Sequence, residues 1–504
     1  MIRVAPGGAE QTVRSSFVAP HLPERPLRAL LEGVPGAQVQ GDDDLVVRGL
    51  AYRTEDVGAG SLFFCVPGAR LDGHDFAPEA LARGATALVV DRHLALDVSQ
   101  AVVPSVREAM GPISASFFGR PADRMTLVGI TGTNGKTTTT YLLEAVFRAT
   151  GHTPGVIGTT GIRIDGRAVP FARTTPEAPD LHRVLAEMVT EGVDLTAMEV
   201  SSHGLDQHRV GGLRFAVAVF TNLTQDHLDY HASMQAYFDA KARLFTRELS
   251  DVAVVNLDHE EGRRLAGRIP TITYGTSEGA DVRGTDVETT ASGIAFRVGD
   301  VRVRSSLRGR FNVENCLAAF ATARALGLDE GVAAEAISGV NVVPGRMETV
   351  EGGQDFLVLV DYAHTPDSVE NVLRAARPLS SGRVLVVLGC GGDRDRAKRP
   401  LMGRAATTNA DLTILTSDNP RSEDPLAILA DIEPGAREGQ GPYVVEPDRR
   451  TAIRRALIEA TTGDVVVIAG KGHETYQELA DRTIAFDDRR VAADELRAIG
   501  TVAS

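Results

Sequence analysis

One stretch limits what this chain can fold into more than any other: Leu127-Val128-Gly129-Ile130-Thr131-Gly132-Thr133-Asn134-Gly135-Lys136-Thr137-Thr138. A short apolar run breaks into a glycine-rich turn, Lys-Thr-Thr follows, and a helical pattern runs from Thr139 to Thr150. That order is a strand, a loop and the N-terminus of a helix, the opening of an α/β unit. Glycines let backbone N–H groups converge on an anion, and the helix dipole adds positive potential at the same place. Lys136 would face the β- and γ-phosphates of a nucleotide, and Thr137 would offer its hydroxyl to Mg²⁺. The spacing differs from the standard GxxxxGK(S/T) pattern. A glycine-rich turn that binds nothing is the bland alternative, but Lys-Thr-Thr opening a helix directly after an apolar strand argues for ATP.

With 504 residues the chain has room for about three domains. Its 43% hydrophobic and 24% charged content is that of a soluble globular protein. A net charge of -14 speaks against a nucleic-acid surface, which wants a basic face. Cys65, Cys316 and Cys390 lie far apart, so neither a disulfide framework nor a zinc ribbon is indicated. The first residues lack the apolar core of a signal peptide, and no run of about 18 apolar residues exists, so we expect a cytoplasmic protein without a membrane span.

Residues 1 to about 25 read as a loose arm. Short strands and helices follow (Leu45–Leu50, Ser61–Val66, Ala77–Arg83, Ala87–Val90, Ser105–Phe118), and Gly119-Arg120-Pro121 breaks the pattern, placing a first unit at 1–122. A second unit is expected over 123–345. In it VDLTAMEV ends in Glu199, AVAVFT precedes Asn222, and VAVVN ends in Asn256; these are buried-type strands with polar residues at their C-terminal ends. Glu199 is the expected acidic partner of the loop's Mg²⁺. The third unit, 346–504, alternates strands (Phe356–Val360, Val384–Leu388, Leu412–Thr416, Tyr443–Val445, Val465–Ala469) with helices in a doubly wound pattern. The fold class is therefore α/β: a small N-terminal domain, a central phosphate-loop domain with a parallel sheet, and a C-terminal Rossmann-like domain.

Three constellations leave their roles open. Asp226-His227-Leu228-Asp229-Tyr230-His231 reads either as metal ligands or as a hydrogen-bonded turn, and Lys241 by itself reads as a surface lysine. Asn312 and Asn315 fall one helical turn apart, for an adenine edge or for helix capping. Arg394 and Arg421, with Asp418 and Glu474, follow strand ends in the third unit. They suit a zwitterionic amino acid or a surface ion-pair network.

Taken together, GTNGKTT, TTPEA, MEVSSHGLDQHR, FTNLTQDHLDYH, LRGRFNVEN, PGRMETV, DYAHTPDS, GCGGDRDRAKRP, DNPR and GKGHE, in this order, resemble the Mur ligase family, the ATP-dependent amide-forming enzymes of peptidoglycan precursor synthesis. Within the family the chain is similar to the members that add the third peptide residue, and DNPR is similar to those using meso-diaminopimelate rather than L-lysine. The resemblance implies UDP-MurNAc-L-Ala-D-Glu and meso-diaminopimelate as substrates, ATP and Mg²⁺ as cofactors, and a monomer. It implies that Gly132, Thr133, Asn134, Gly135, Lys136, Thr137 and Thr138 hold ATP, with Asn312 near adenine and Arg346 near the nucleotide. It puts Thr137 and Glu199 on one Mg²⁺, and His227 with Lys241, as a CO₂-derived carbamate, on a second. Thr174, Thr175, Ser201, Gln207 and Arg209 would hold the UDP-sugar dipeptide, and Thr54 would replace the serine usual in the uridine segment. Arg394, Asp418, Asn419, Pro420, Arg421, Gly470 and Glu474 would bind diaminopimelate. His203 and His364 are candidate proton shuttles, and closure of the third unit onto the second is expected. The rival readings are a folylpolyglutamate synthase-like ligase, the L-lysine-adding ligase of the same step, and a nucleotide switch that ligates nothing.

Overall fold

The structure is a computed structural model that describes residues 23–68, 71–169, 171, 173–290 and 292–502; most of the arm expected at the N-terminus lies outside them. Three principal sheets organise the chain. The first has strands β1 (Gln38–Gln40), β2 (Gly49–Ala51), β3 (Ser61–Phe64), β4 (Ala85–Val90) and β5 (Ser99–Val102), in the order β1-β5-β4-β3-β2. Only the β1–β5 pair is antiparallel. Helix α1 (Val106–Phe117) lies against one face through Val106, Met110, Ile113 and Phe117.

The second sheet has eleven strands. Its centre is β6 (Thr126–Thr131), flanked in parallel by β10 (Leu195–Glu199) and β11 (Phe215–Phe220). On one side lie β7 (Pro154–Gly158), β8 (Gly161–Ile164) and β9 (Arg167–Val169). On the other lie β12 (Ser250–Asn256), β13 (Thr271–Gly275) and an antiparallel meander of β14 (Val282–Thr290), β15 (Gly293–Val298) and β16 (Val301–Ser305). Both faces of the centre are covered, which is why its strands read as continuous apolar runs. Val128 and Ile130 of β6 pack with Leu142, Leu143, Val146 and Phe147 of helix α2 (Lys136–Ala149) and with helix α4 (Phe311–Ala325). Leu127 points the other way, into a core completed by Tyr237 and Phe238 of helix α3 (Met234–Ala242). Helix α2 starts three residues before the expected Thr139, because Gly135, at φ +88°, turns the chain directly into it. Lys136, Thr137 and Thr138 thus occupy its first turn, where N–H groups have no helical acceptor.

The third sheet runs β17-β18-β22-β19-β20-β21: Glu348–Thr349, Leu357–Asp361, Val465–Ala469, Val384–Cys390, Leu412–Ser417 and Tyr443–Val445. All but β17 are parallel. Alternate residues of β19 face opposite layers. Val384, Val386 and Leu388 pack with helices α5 (Pro366–Ala376) and α6 (Lys398–Asn409), while Leu385 and Val387 pack with α7 (Arg449–Glu459) and α8 (Asp488–Val502). The doubly wound expectation holds. Cys65, Cys316 and Cys390 are buried and free, and among the described residues no helix is long and apolar enough to cross a membrane.

Candidate active site

The loop after β6 is shaped by two glycines in the left-handed region, Gly132 at φ +145° and Gly135 at φ +88°. A Cβ on Gly132 would meet the Thr221 hydroxyl, and one on Gly135 the Asn315 amide, so a side chain at either would push the loop off its neighbours. The Lys136 ammonium folds back onto the loop, donating to the carbonyls of Gly132 (2.9 Å) and Thr133 (2.8 Å). Burial lowers its pKa; Glu199 and Asp226 work against that shift.

Glu199 closes β10 beside the loop, 1% exposed. Its carboxylate accepts from the Thr137 hydroxyl (2.9 Å), the Thr159 N–H (3.0 Å) and the Thr159 hydroxyl (2.9 Å). The expected pair of hard oxygen donors is therefore assembled. Among the described residues no group of three or more His, Cys, Asp or Glu side chains converges as a metal site. A hydroxyl, one carboxylate and nucleotide phosphates are nonetheless the donor set magnesium commonly takes, so Thr137 and Glu199 fit it.

Lys241 corrects its reading as a surface lysine: it is 1% exposed on α3. Its amine donates to the Gly132 carbonyl (2.9 Å) and lies 4.4 Å from the centre of the Tyr237 ring. Burial, then the neighbouring Lys136 charge, holds its pKa well below the ordinary lysine value. His227, at φ +55°, places its ring 4.8 Å from that of His203, which stacks on Tyr230 at 4.1 Å. His231 joins the same cluster, its ring 4.9 Å from that of Tyr230, and its Nε2 lies 3.0 Å from the Ser202 hydroxyl. Burial lowers His203 to about 4 and His227 to about 3. A group at about 4 is a poor proton acceptor near neutral pH, which counts against His203 as a shuttle.

Thr174, Thr175, Ser201, Gln207 and Arg209 form one connected network. The Thr174 and Thr159 hydroxyls are 3.1 Å apart, and Thr175 Oγ1 donates to the Glu199 carbonyl (3.0 Å) and lies 3.0 Å from Ser201 Oγ. Arg209 donates to the Thr175 carbonyl (2.9 Å) and to Gln207 Oε1 (2.7 Å). Three arginines, Arg107 of α1, Arg173 and Arg209, surround the buried Glu177 carboxylate at 2.8, 2.6 and 3.1 Å. Glu177 lies inside the TTPEA motif but had no role assigned, and Arg107 carried no sequence signal; their convergence depends on α1 meeting the central unit. Thr54 stands in the 3₁₀ turn Thr54–Asp56. Nearby Tyr52 donates to Asp180 (2.7 Å).

Asn312 and Asn315 are both buried and bind one another, Asn315 Nδ2 donating to Asn312 Oδ1 (2.8 Å), while Asn312 Nδ2 donates to the Arg308 carbonyl (2.7 Å). Only Asn315 reaches the phosphate loop, at Gly135.

The C-terminal unit is seated on that loop. Arg346 donates to the Thr137 hydroxyl (2.9 Å) with its guanidinium 4.6 Å above the centre of the Tyr362 ring. Asn134 donates to Asp367 (3.0 Å), and His473 Nε2 lies 3.2 Å from the Thr159 carbonyl. Asp226 is met by Lys398 (3.2 Å) and His364 (3.6 Å). Burial alone would raise Asp226; His364 and Lys398 outweigh it and hold its pKa well below the usual carboxylate range. Lys398, Asp367 and Tyr362 lie inside motifs already noted, but nothing in their spacing points to these partners.

At the C-terminal edge of the third sheet, Asp418, Asn419 and Pro420 are buried and Arg421, at φ +52°, pairs with Glu478 (3.0 Å). Arg394 is exposed and donates to the Asp393 carbonyl (2.9 Å). Asn419 donates to Glu474 (2.8 Å). Gly470, at φ +116°, lets Asp418 approach to where a Cβ would sit 2.7 Å from its carboxylate. A residue without an assigned role, Lys471, reaches Asn419, Glu474 and Asp418 together.

The chain matches three family models: the Mur ligase middle domain over residues 130–323, the Mur ligase glutamate ligase domain over 345–472, and the Mur ligase family catalytic domain over 46–116. The UDP-N-acetylmuramoyl-L-alanyl-D-glutamate--2,6-diaminopimelate ligase of Geobacillus thermodenitrificans is 50% identical over 481 residues, covering 92% of this chain and 98% of that protein. The protein of the same name from Solibacter usitatus is 48% identical, covering 90% of this chain and 94% of its own length. A solved structure of a ligase so named is 33% identical with a TM-score of 0.66, covering 93% of this chain and 99% of that one. The folylpolyglutamate synthase of Mycobacterium tuberculosis, solved with ADP and AMPPCP, has a TM-score of 0.59 at 19% identity, covers 72% of this chain and 92% of its own, and shares the fold alone.

Proposed function

The chain belongs to the Mur ligase family, and from that premise we propose that it joins meso-2,6-diaminopimelate to the γ-carboxylate of the D-glutamyl residue of UDP-MurNAc-L-Ala-D-Glu. It is an ATP-dependent amide-forming ligase. A carboxylate oxygen attacks the γ-phosphorus of ATP and ADP leaves. The amine of diaminopimelate then attacks the acyl phosphate carbon, phosphate departs, and the amine proton passes to a base. His364, beside Asp226, is the base we favour.

In this reading residues 1–122 carry the UDP-sugar, with Thr54 near uridine; 123–345 carry ATP and the dipeptide end; 346–504 carry the amino acid. The Gly132–Thr138 loop holds the phosphates, with Lys136 and Arg346 supplying positive charge and Asn312 lying near adenine. Thr174, Thr175, Ser201, Gln207 and Arg209 orient the dipeptide. Arg394, Asp418, Asn419, Pro420, Arg421, Gly470 and Glu474 receive diaminopimelate. Thr137 and Glu199 would hold one Mg²⁺, and His227 with Lys241 a second, which together offset the charge of two anions brought face to face. Lys241 would serve as a carbamate: burial and the Lys136 charge favour its uncharged amine, which adds CO₂ with loss of a proton and becomes an anionic oxygen donor. The enzyme would act as a cytoplasmic monomer.

The observation that carries this reading is the bond from Thr137 to Glu199 at the loop mouth, bridged to the C-terminal unit by Arg346. DNPR, with Arg421 at the sheet edge, favours an amino acid with a second carboxylate at its far end over L-lysine. The test is ADP release with UDP-MurNAc-L-Ala-D-Glu, Mg²⁺ and ATP, comparing meso-diaminopimelate with L-lysine. Turnover with diaminopimelate alone is expected. Turnover with lysine would overturn the amino-acid assignment, and turnover with neither would overturn the step.

A further inference from the structure

We propose that Lys471 is the positioning residue of the amino-acid subsite, and that its buried ammonium sets the charge by which that subsite accepts a far end bearing both an ammonium and a carboxylate. This rests on the third unit being the amino-acid unit. The Lys471 side chain is 0% exposed. Its ammonium donates to Asn419 Oδ1 (2.9 Å) and Glu474 Oε2 (3.0 Å) and lies 3.7 Å from Asp418 Oδ1. Asn419 also donates to the same Glu474 oxygen (2.8 Å), so three side chains from two different strand ends are tied through one cation.

An ammonium has three donors and no acceptor. Two go to Asn419 and Glu474, and Asp418 lies toward the third. Lys471 therefore arranges the groups that meet the substrate instead of meeting it. It also alters the sign balance: Asp418 and Glu474 bring two negative charges, and Lys471 cancels one. Among these three side chains a single net negative charge remains to receive one ammonium, with Arg394 and Arg421, the latter paired here with Glu478, on the rim to receive a carboxylate. A side chain ending in an ammonium alone leaves the arginines unmet; one ending in a carboxylate alone leaves the acidic array unmet. Removing the Lys471 charge makes the array doubly negative and shifts preference toward purely cationic ends, a specificity effect that depends on a repulsive as well as an attractive element.

The experiment measures kcat/KM for meso-diaminopimelate, L-lysine and 2-aminopimelate in the wild-type enzyme, in Lys471→Met and in Lys471→Gln, with KM for ATP followed in parallel. In wild type, both analogues should fall at least 100-fold below diaminopimelate; 2-aminopimelate used as well as diaminopimelate overturns the proposal without any variant. In Lys471→Met the diaminopimelate-to-lysine ratio should fall at least tenfold, chiefly through KM for the amino acid, while KM for ATP stays within twofold. Lys471→Gln keeps a long stem and two N–H donors without the charge, and should show the same fall if the methionine variant does not fold. A folded variant whose ratio stays within twofold of wild type overturns the proposal. Wild-type enzyme idle with diaminopimelate would instead overturn the functional reading on which it rests.

Discussion

The ammonium of Lys398, at the start of α6, lies 3.2 Å from the carboxylate of Asp226, just beyond β11, and both side chains are less than a tenth exposed. The pair joins the C-terminal unit to the central unit immediately beside the loop of Lys136, with His364 on the second oxygen of Asp226. Breaking a buried pair leaves one charge uncompensated, typically at a cost of about 3–5 kcal/mol. Here that cost falls on the docked arrangement, because each unit has its own core.

Lys398→Met should therefore lower kcat by roughly a hundredfold or more while leaving ATP affinity nearly unchanged. Adding Asp226→Asn should recover part of the loss, since the stranded carboxylate is gone. A double variant no better than the single would show that the pair does not govern docking.

Gly135→Ala tests the loop. The residue sits at φ +88°, where an L side chain costs about 1–2 kcal/mol, and the new methyl group would press on Asn315. ATP affinity should drop at least tenfold, with UDP-MurNAc-L-Ala-D-Glu binding retained. Isothermal titration with each ligand separates the two, and unchanged ATP binding would sink the prediction.

His182 makes folding pH-dependent. Burial, opposed by its bond to the Gly211 carbonyl (3.0 Å), lowers its pKa from 6.5 to about 4. The unfolded chain takes up a proton below about 6.5 while the native imidazole stays neutral. Its contribution is thus fully present above 6.5 and is lost as pH falls toward 4, amounting to about 3 kcal/mol. Urea unfolding at pH 7.5 and pH 5 should show a smaller acid-side loss for His182→Gln than for wild type. Equal losses would contradict the assignment.

Burial and the Lys136 charge hold the Lys241 pKa well below the ordinary lysine value, which favours the uncharged amine that CO₂ attacks. Enzyme equilibrated with ¹³C-bicarbonate should give a carbamate carbon resonance that is absent in Lys241→Arg. Activity should decline in CO₂-free buffer and return when bicarbonate is restored. Full activity without CO₂ would exclude the modification.

The strand-loop-helix at 126–149, the apolar strands with polar residues at their C-terminal ends, and the doubly wound alternation after residue 346 were all legible in the chain. Each is a local pattern: glycine placement, or an apolar run of strand length with polar residues at its end. The motifs likewise named the residues at the loop, at β10 and at the edge of the third sheet. What the chain did not reveal was who faces whom. Lys241 looks like any helical lysine until α3 presses it against Gly132, 109 residues earlier. Asp226 finds Lys398 172 residues further on, and Lys471 finds Asn419 across 52. Such contacts follow from how separate layers dock and how far burial strips water from a charge. Neither leaves a period in the sequence, so the tertiary structure alone decided that these three lysines are buried and which anions and carbonyls they meet.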